Sequence, residues 1–115
     1  MKSPVKRLVI VSSDVGSIGW AIDPTYKYYA HPDTTYKSSK TAVNMISAVM
    51  SVLHGKDGLR VNLVNPGPSS TALNNHYHMA EPADGGALEA CLVITLGDEG
   101  EVLTYTADHN QVVRW

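Results

Sequence analysis

Tyr36-Lys37-Ser38-Ser39-Lys40-Thr41-Ala42-Val43-Asn44-Met45-Ile46-Ser47-Ala48-Val49-Met50-Ser51-Val52-Leu53-His54 runs without a glycine or a proline and ends against Gly55. Just before it, Pro32 and Asp33 offer a helix start, with Asp33 a natural N-cap, and Gly55 offers a stop. The spacing predicts one helix over 36–54. It is apolar over most of its circumference. The polar residues Lys40, Asn44, Ser47, Ser51 and His54 recur three or four apart and form one narrow stripe. A helix this apolar needs more than one partner surface: core on one side, and sheet or subunit contact on the other.

Working outward, Leu8-Val9-Ile10-Val11 precedes the helix and Leu59-Arg60-Val61-Asn62-Leu63-Val64 follows it. The first is a β-branched run with no alternation, as expected of a parallel strand covered on both faces. It ends in Ser12-Ser13-Asp14-Val15-Gly16, which is small and turn-prone. The second is stopped by Asn65-Pro66-Gly67. Beyond a loop over 68–80, Glu81-Pro82 is expected to open a second helix, over about 83–96, stopped by Gly97. A third strand is expected over 101–106. The order strand, helix, strand, helix, strand predicts an α/β fold, a right-handed βαβαβ unit on a parallel sheet.

The chain has 115 residues, 43% of them hydrophobic and 17% charged, with a net charge of -2. That length carries one domain with a real core. The charge balance argues against a polybasic nucleic-acid surface and an acidic disordered tail. The single Cys91 rules out an internal disulfide and a cysteine zinc cluster. No apolar run approaches the roughly 20 residues of a membrane span. The basic residues near Met1 are followed by too short an apolar stretch for a secretory signal. The expectation is a soluble, cytoplasmic protein with no nucleic-acid or membrane partner.

Three local patterns fall at or beyond strand ends, where open α/β sheets bind ligands. They are Ser12-Ser13-x-x-Gly16, Tyr36-Lys37-Ser38-Ser39-Lys40, and Asn65-Pro66-Gly67-Pro68-Ser69-Ser70-Thr71. A tyrosine and a lysine four apart share one helix face. A phenol is a poor base at neutral pH, and a neighbouring ammonium favours its ionised form. A serine hydroxyl nearby can hydrogen-bond a carbonyl or a developing alkoxide. Together such groups can move a proton at a substrate oxygen while another agent takes the hydride.

In combination and order, these stretches resemble the C-terminal half of a short-chain dehydrogenase/reductase. The likeness extends from Leu8-Val9-Ile10-Val11-Ser12-Ser13 with Gly16, through the 36–45 stretch, Leu59-Arg60-Val61-Asn62 and Pro66-Gly67 with Thr71, to Thr95-Leu96-Gly97, Gly100, Asp108 and Trp115. The resemblance implies an NAD(P)-dependent oxidoreductase that interconverts a carbonyl and a hydroxyl on a small molecule. Tyr36 would be the general acid/base. Lys40 would hold the nicotinamide ribose and tune the tyrosine, and Ser13 would orient the substrate. Pro66, Gly67 and Thr71 would pass the nicotinamide. It also implies a Rossmann-like, three-layer, doubly wound sheet of which 1–115 forms a single partial domain.

The chain departs from the family pattern in two respects. Tyr36 stands 23 positions after Ser13, longer than in most members, and the excess is an aromatic loop. The Gly-rich phosphate loop, the residues that choose NAD or NADP, and the family's catalytic asparagine find no match. On this reading Met1 is an internal methionine of a longer chain, and the C-terminal end is complete. A non-catalytic, truncated remnant that at most binds partners is the alternative. A homo-oligomer through the 36–54 helix and the C-terminal helix and strand is the expected assembly.

Other residues have plainer readings. The segment 16–35 carries Trp20, Tyr26, Tyr28, Tyr29 and His31 without helical or strand period, and reads as an ordered lid. Its aromatics either line a substrate pocket or only pack the loop. Asp14 reads as a turn former. His76-x-His78 lacks a carboxylate or cysteine partner and reads as loop rather than metal site, and Cys91 as a small core residue.

Overall fold

The computed structural model describes residues 6–70, 72, 81–82 and 104–106. Strand β1 (Lys6–Val11) leads through a turn to a one-turn helix α1 (Ile18–Ala21) and then to the long helix α2 (Thr34–His54). Strand β2 (Leu59–Asn65) follows, then two-residue strands β3 (Ser69–Ser70) and β4 (Glu81–Pro82), and finally β5 (Thr104–Thr106). The main sheet has the order β1-β2-β5 and all its pairings are parallel, as the βαβαβ order predicts. Lys6 lies opposite Leu59 and Val11 opposite Val64, so β1 and β2 are in register along the whole of β1.

The core sits on β2. Val61, Leu63 and Val64 are fully buried, and Asn62 and Asn65 are buried with them. From Val61 to Asn65 both faces of the strand are buried, which is why its apolar residues run without alternation. Helix α2 packs on β2 and on the turn after β1.

Several boundaries differ from the sequence expectation for identifiable reasons. Helix α2 begins at Thr34 because the Asp33 side chain accepts from the Tyr36 amide, 2.9 Å away. Gly55 does not stop the chain turning: its φ of -58 is right-handed, and a 3-10 turn continues through Asp57. The left-handed stop is Gly58, with φ 80. The segment after Gly16 is not a structureless loop. Ser17 caps α1 by accepting from Trp20 N at 3.2 Å. Glu81-Pro82 forms a strand paired with Ser69–Ser70 rather than a helix start. Pro82 has no amide donor, so such pairing suits it only at an edge. The expected helix over 83–96, and with it Cys91, Gly97 and Gly100, lies outside the described residues. So do Thr71, His76, His78, Asp108, His109 and Trp115.

The inner side of α2 is a departure too. The residues it buries are Asn44, Ser47 and Ser51, members of the polar stripe, and not the large apolar ones. Met45, Ile46, Val49, Val52 and Leu53 are exposed. Small side chains let the helix axis approach the sheet closely. The Ser47 hydroxyl satisfies itself by donating to Val43 O at 2.7 Å, one turn back.

Candidate active site

The carboxyl ends of β1 and β2 and the first turns of α2 meet around an open cleft of about 590 Å³. That volume falls in the range of small-molecule sites. Its walls include Ser12, Ser13 and Asp14 from the end of β1, Tyr36, Lys37 and Lys40 from α2, and Asn65, Pro66 and Gly67 from the end of β2. Tyr28, His31 and Asp33 close one side. Five of the six residues singled out from sequence, Ser13, Tyr36, Lys40, Pro66 and Gly67, therefore line one cavity. The sixth, Thr71, lies outside the described residues.

Each wall is held by local chemistry. Ser12 N donates to Val64 O at 2.8 Å, which carries the β1–β2 ladder one residue past the strand. The Ser12 hydroxyl then donates to Asn44 Oδ1 of α2 at 2.5 Å, tying strand end to helix. Ser13 caps the 3-10 turn Asp14–Gly16, its Oγ accepting from Val15 N at 3.4 Å. Gly16 is required by close approach. A Cβ there would stand 2.7 Å from Asn44 Nδ2, and 2.8 and 2.9 Å from the carbonyl carbon and Cβ of Lys40. The Thr41 hydroxyl reinforces this junction, lying 2.9 Å from Gly16 O and 3.0 Å from Lys37 O.

The Lys40 ammonium lies over the Tyr36 ring, 5.6 Å from its centroid, and donates to Val11 O at 3.4 Å. The contact is cation to ring face, an attraction in its own right. Tyr36 itself is half exposed, its ring open to the cleft. Lys37, beside it, donates to Tyr28 O at 3.1 Å and so ties the aromatic segment to α2. Across the cleft, Gly67 takes a φ of 70, the left-handed region that favours glycine. Its amide donates to Asn65 Oδ1 at 3.2 Å, which fixes the bend after β2.

The aromatic segment does both things its sequence left open. Trp20 and Tyr26 stack at 4.9 Å, and Tyr28 meets Tyr26 edge-on at 5.6 Å. Tyr28 also lines the cleft, whereas Trp20 and Tyr26 do not. The Tyr26 hydroxyl is buried beside the Asp14 carboxylate. Burial holds this phenol above its usual range, and Asp14 pushes it the same way.

Sequence reasoning missed Asp14 as a wall residue, and with it Lys37, His31, Asp33 and Asn65. Asp14 does open a turn, as expected. Its position next to Ser13 was the one signal that it would line the cleft. Among the described residues, no group of three or more His, Cys, Asp or Glu is placed to hold a metal, and no helix is long and apolar enough to cross a membrane.

Comparison with known proteins places this architecture. The profile of the short chain dehydrogenase family matches residues 2–82. The short-chain dehydrogenase anuI of Penicillium roqueforti is 45% identical over 64 residues, covering 54% of this chain and 25% of its own. The short-chain dehydrogenase/reductase eupG of Phoma sp is 31% identical over 99 residues, covering 77% and 36%. The chain thus spans about a quarter to a third of the length of these relatives. Among solved structures, the NADPH-bound carbonyl reductase from chicken fatty liver superposes with a TM-score of 0.74 at 20% identity, over 95% of this chain and 42% of that one. Carbonyl reductase Sniffer of D. melanogaster gives 0.70 at 18% identity, over 98% and 44%. At such identities these two show a shared fold. With the family profile covering most of its length, the chain belongs to the short chain dehydrogenase family.

Proposed function

We propose that this chain carries the catalytic part of an NAD(P)-dependent oxidoreductase that interconverts a carbonyl and a hydroxyl on a small molecule. The observation that supports this is the shared cleft of Ser13, Tyr36, Lys40 and Pro66-Gly67 at the carboxyl ends of parallel strands. In this reading Tyr36 is the general acid/base at the substrate oxygen. Its half-exposed ring is open to the cleft, and the Lys40 cation lies over its face. Ser13 holds the substrate oxygen by its hydroxyl.

The residues present suit the nicotinamide end of the cofactor. Lys40 offers a cationic donor for a ribose, and the left-handed bend at Gly67 brings backbone to the rim where a flat ring can pass. Thr71 would stand with it, as the family resemblance implies. When bound, the nicotinamide gives or takes a hydride. The carbonyl reductase from chicken fatty liver binds NADPH and a short-chain dehydrogenase/reductase from Burkholderia multivorans binds NADP, which favours a nicotinamide dinucleotide here without choosing its type.

The sequence carries no Gly-rich phosphate turn of the kind on which a dinucleotide's pyrophosphate rests at a helix N-terminus. One charge-assisted contact of ~1.5–3 kcal/mol does not replace that site. The test measures NADH and NADPH binding by calorimetry on the 115 residues and on a chain extended upstream by a Gly-rich strand-loop-helix half. No binding to the short chain is expected, with binding and carbonyl reduction in the extended one. There, Tyr36→Phe is expected to lower turnover by about 10²–10⁴. Unchanged turnover in that variant overturns the role of Tyr36.

The exposed apolar side of α2 supports one partner reading, a second copy of the chain packed against that helix. The same feature suits the remnant alternative, and the extended-chain assay separates the two.

A further inference from the structure

Asp14 is only 7% exposed, yet it belongs to the cleft wall beside Ser13. An ionised carboxylate has room for about four hydrogen bonds and is costly to bury without them. The Ser13 hydroxyl donates to it at 3.3 Å, longer than the roughly 2.5–3.0 Å of a good O–H···O bond, and the Tyr26 phenol lies beside it. The two cleft ammoniums are directed elsewhere: Lys37 donates to Tyr28 O and Lys40 to Val11 O. Tyr26 itself does not line the cleft. The cleft wall therefore holds a buried acceptor with about two of its four positions taken, one residue from the group that would hold the substrate oxygen.

Resting on the proposed oxidoreductase reading, we propose that Asp14 is the specificity-determining residue of the cleft: it accepts a hydrogen bond from a hydroxyl on the substrate, so the site selects carbonyl compounds that also carry a free hydroxyl. Two steps favour such substrates. The incoming hydroxyl satisfies the under-bonded carboxylate. It also displaces the long bond from Ser13, whose single proton then turns to the carbonyl oxygen. A substrate with an ether in place of the hydroxyl supplies no proton, leaves Asp14 buried and short of donors, and leaves the Ser13 proton engaged.

The test uses the full 115-residue chain and two probes of similar size, 3-hydroxyacetophenone and 3-methoxyacetophenone, with affinities read by ligand-observed NMR titration. The hydroxyl probe is expected to bind at least about tenfold tighter, the effect of one charge-assisted hydrogen bond. In Asp14→Asn, which keeps shape and loses charge, the preference should shrink to a few-fold. In Asp14→Ala it should vanish. Circular dichroism checks each variant, and the asparagine variant carries the test should the alanine one not fold. Equal affinities in the wild type, no saturable binding of either probe, or a full preference retained in Asp14→Asn overturns the proposal. A preference that depends on Asp14, together with no Tyr36-dependent turnover in the extended chain, would instead overturn the oxidoreductase reading alone.

Discussion

The two sides of helix α2 are made of opposite material from what a sheet-covering helix ordinarily shows. Toward the sheet and the strand-end turn it buries Asn44, Ser47 and Ser51; away from them it exposes Met45, Ile46, Val49, Val52 and Leu53. The inner side is built for distance. Small side chains bring the helix close enough for Ser12 to reach Asn44 and for Gly16 to touch the Lys40 backbone. That closeness sets Tyr36 and Lys40 over the ends of β1 and β2. The outer side is built for area, and area alone binds a partner without fixing any one atom. Substitutions on the inner side and the sheet beneath should therefore disturb fold and cleft together, whereas those on the outer side should spare both.

The largest effect is expected in β2 beneath the helix. Leu63 is fully buried. Leu63→Ala removes methyl and methylene groups and leaves a cavity, and about 2–5 kcal/mol of stability should go with them. Chemical denaturation reads it as a lower midpoint. A loss below 1 kcal/mol would mean that β2 is not the core of the described fold.

Next comes the junction itself. Gly16→Ala puts a methyl within 3 Å of the Lys40 backbone, where nothing flexible can yield. Overpacking of this kind costs about 1–3 kcal/mol. Because the displaced atoms belong to Lys40, cofactor binding by an extended chain should weaken along with stability. Intact binding in a destabilised Gly16→Ala variant would separate the junction from the cleft and break the comparison.

How far this was readable in sequence differs between the two sides. The strands at 8–11 and 59–64 and the helix over 36–54 announce themselves through β-branched runs, the Asp33 cap and the lack of breakers. The clustering of Ser13, Tyr36, Lys40 and Pro66-Gly67 follows from that order, because parallel strands put all their carboxyl ends on one edge. The facing of α2 was not readable. An apolar majority and a polar stripe look the same whichever one the sheet takes, and contact distance decides it. Helix α1 was hidden because one turn is too short to show a period. Asp14 was hidden because a turn former and a buried acceptor are the same residue until the direction of its carboxylate is known. The pairing of Glu81–Pro82 with Ser69–Ser70 joins segments that no local pattern connects.

A smaller effect tests the aromatic segment behind the inner side. The Tyr26 phenol is raised above its ordinary value near 10 by burial, and further by Asp14. Above that ordinary value the unfolded chain releases the Tyr26 proton while the folded chain keeps it. The unfolded state then binds fewer protons, so stability contributed below about pH 10 is lost as pH rises further. Thermal melts from pH 8 to pH 11 should show a decline that Tyr26→Phe reduces. An identical decline in the variant would mean that the phenol is not buried against Asp14.

The smallest effect on stability, and the sharpest contrast, belongs to the outer side. Val52 is 81% exposed and Ile46, six residues before it on the same outer side, is exposed as well. Replacing both by serine removes no buried contact of the described fold. It also leaves Asn44, Ser47 and Ser51 untouched. Serine has a slightly lower helix propensity than isoleucine or valine at most, so the change in unfolding free energy should stay within about ±0.5 kcal/mol per site. Association is a different matter. Each exposed aliphatic side chain contributes about 1.5–3 kcal/mol when fully covered, and β1, an edge strand among the described residues, adds a strand-pairing surface. Sedimentation of the wild-type chain is therefore expected to show self-association that grows with concentration, and the double serine variant should shift toward monomer while melting at nearly the same temperature. A wild-type chain that sediments as a single monomer would remove the outer side's purpose. A variant that loses stability as heavily as Leu63→Ala would show that the outer side is core after all, and the contrast between the two sides would fail.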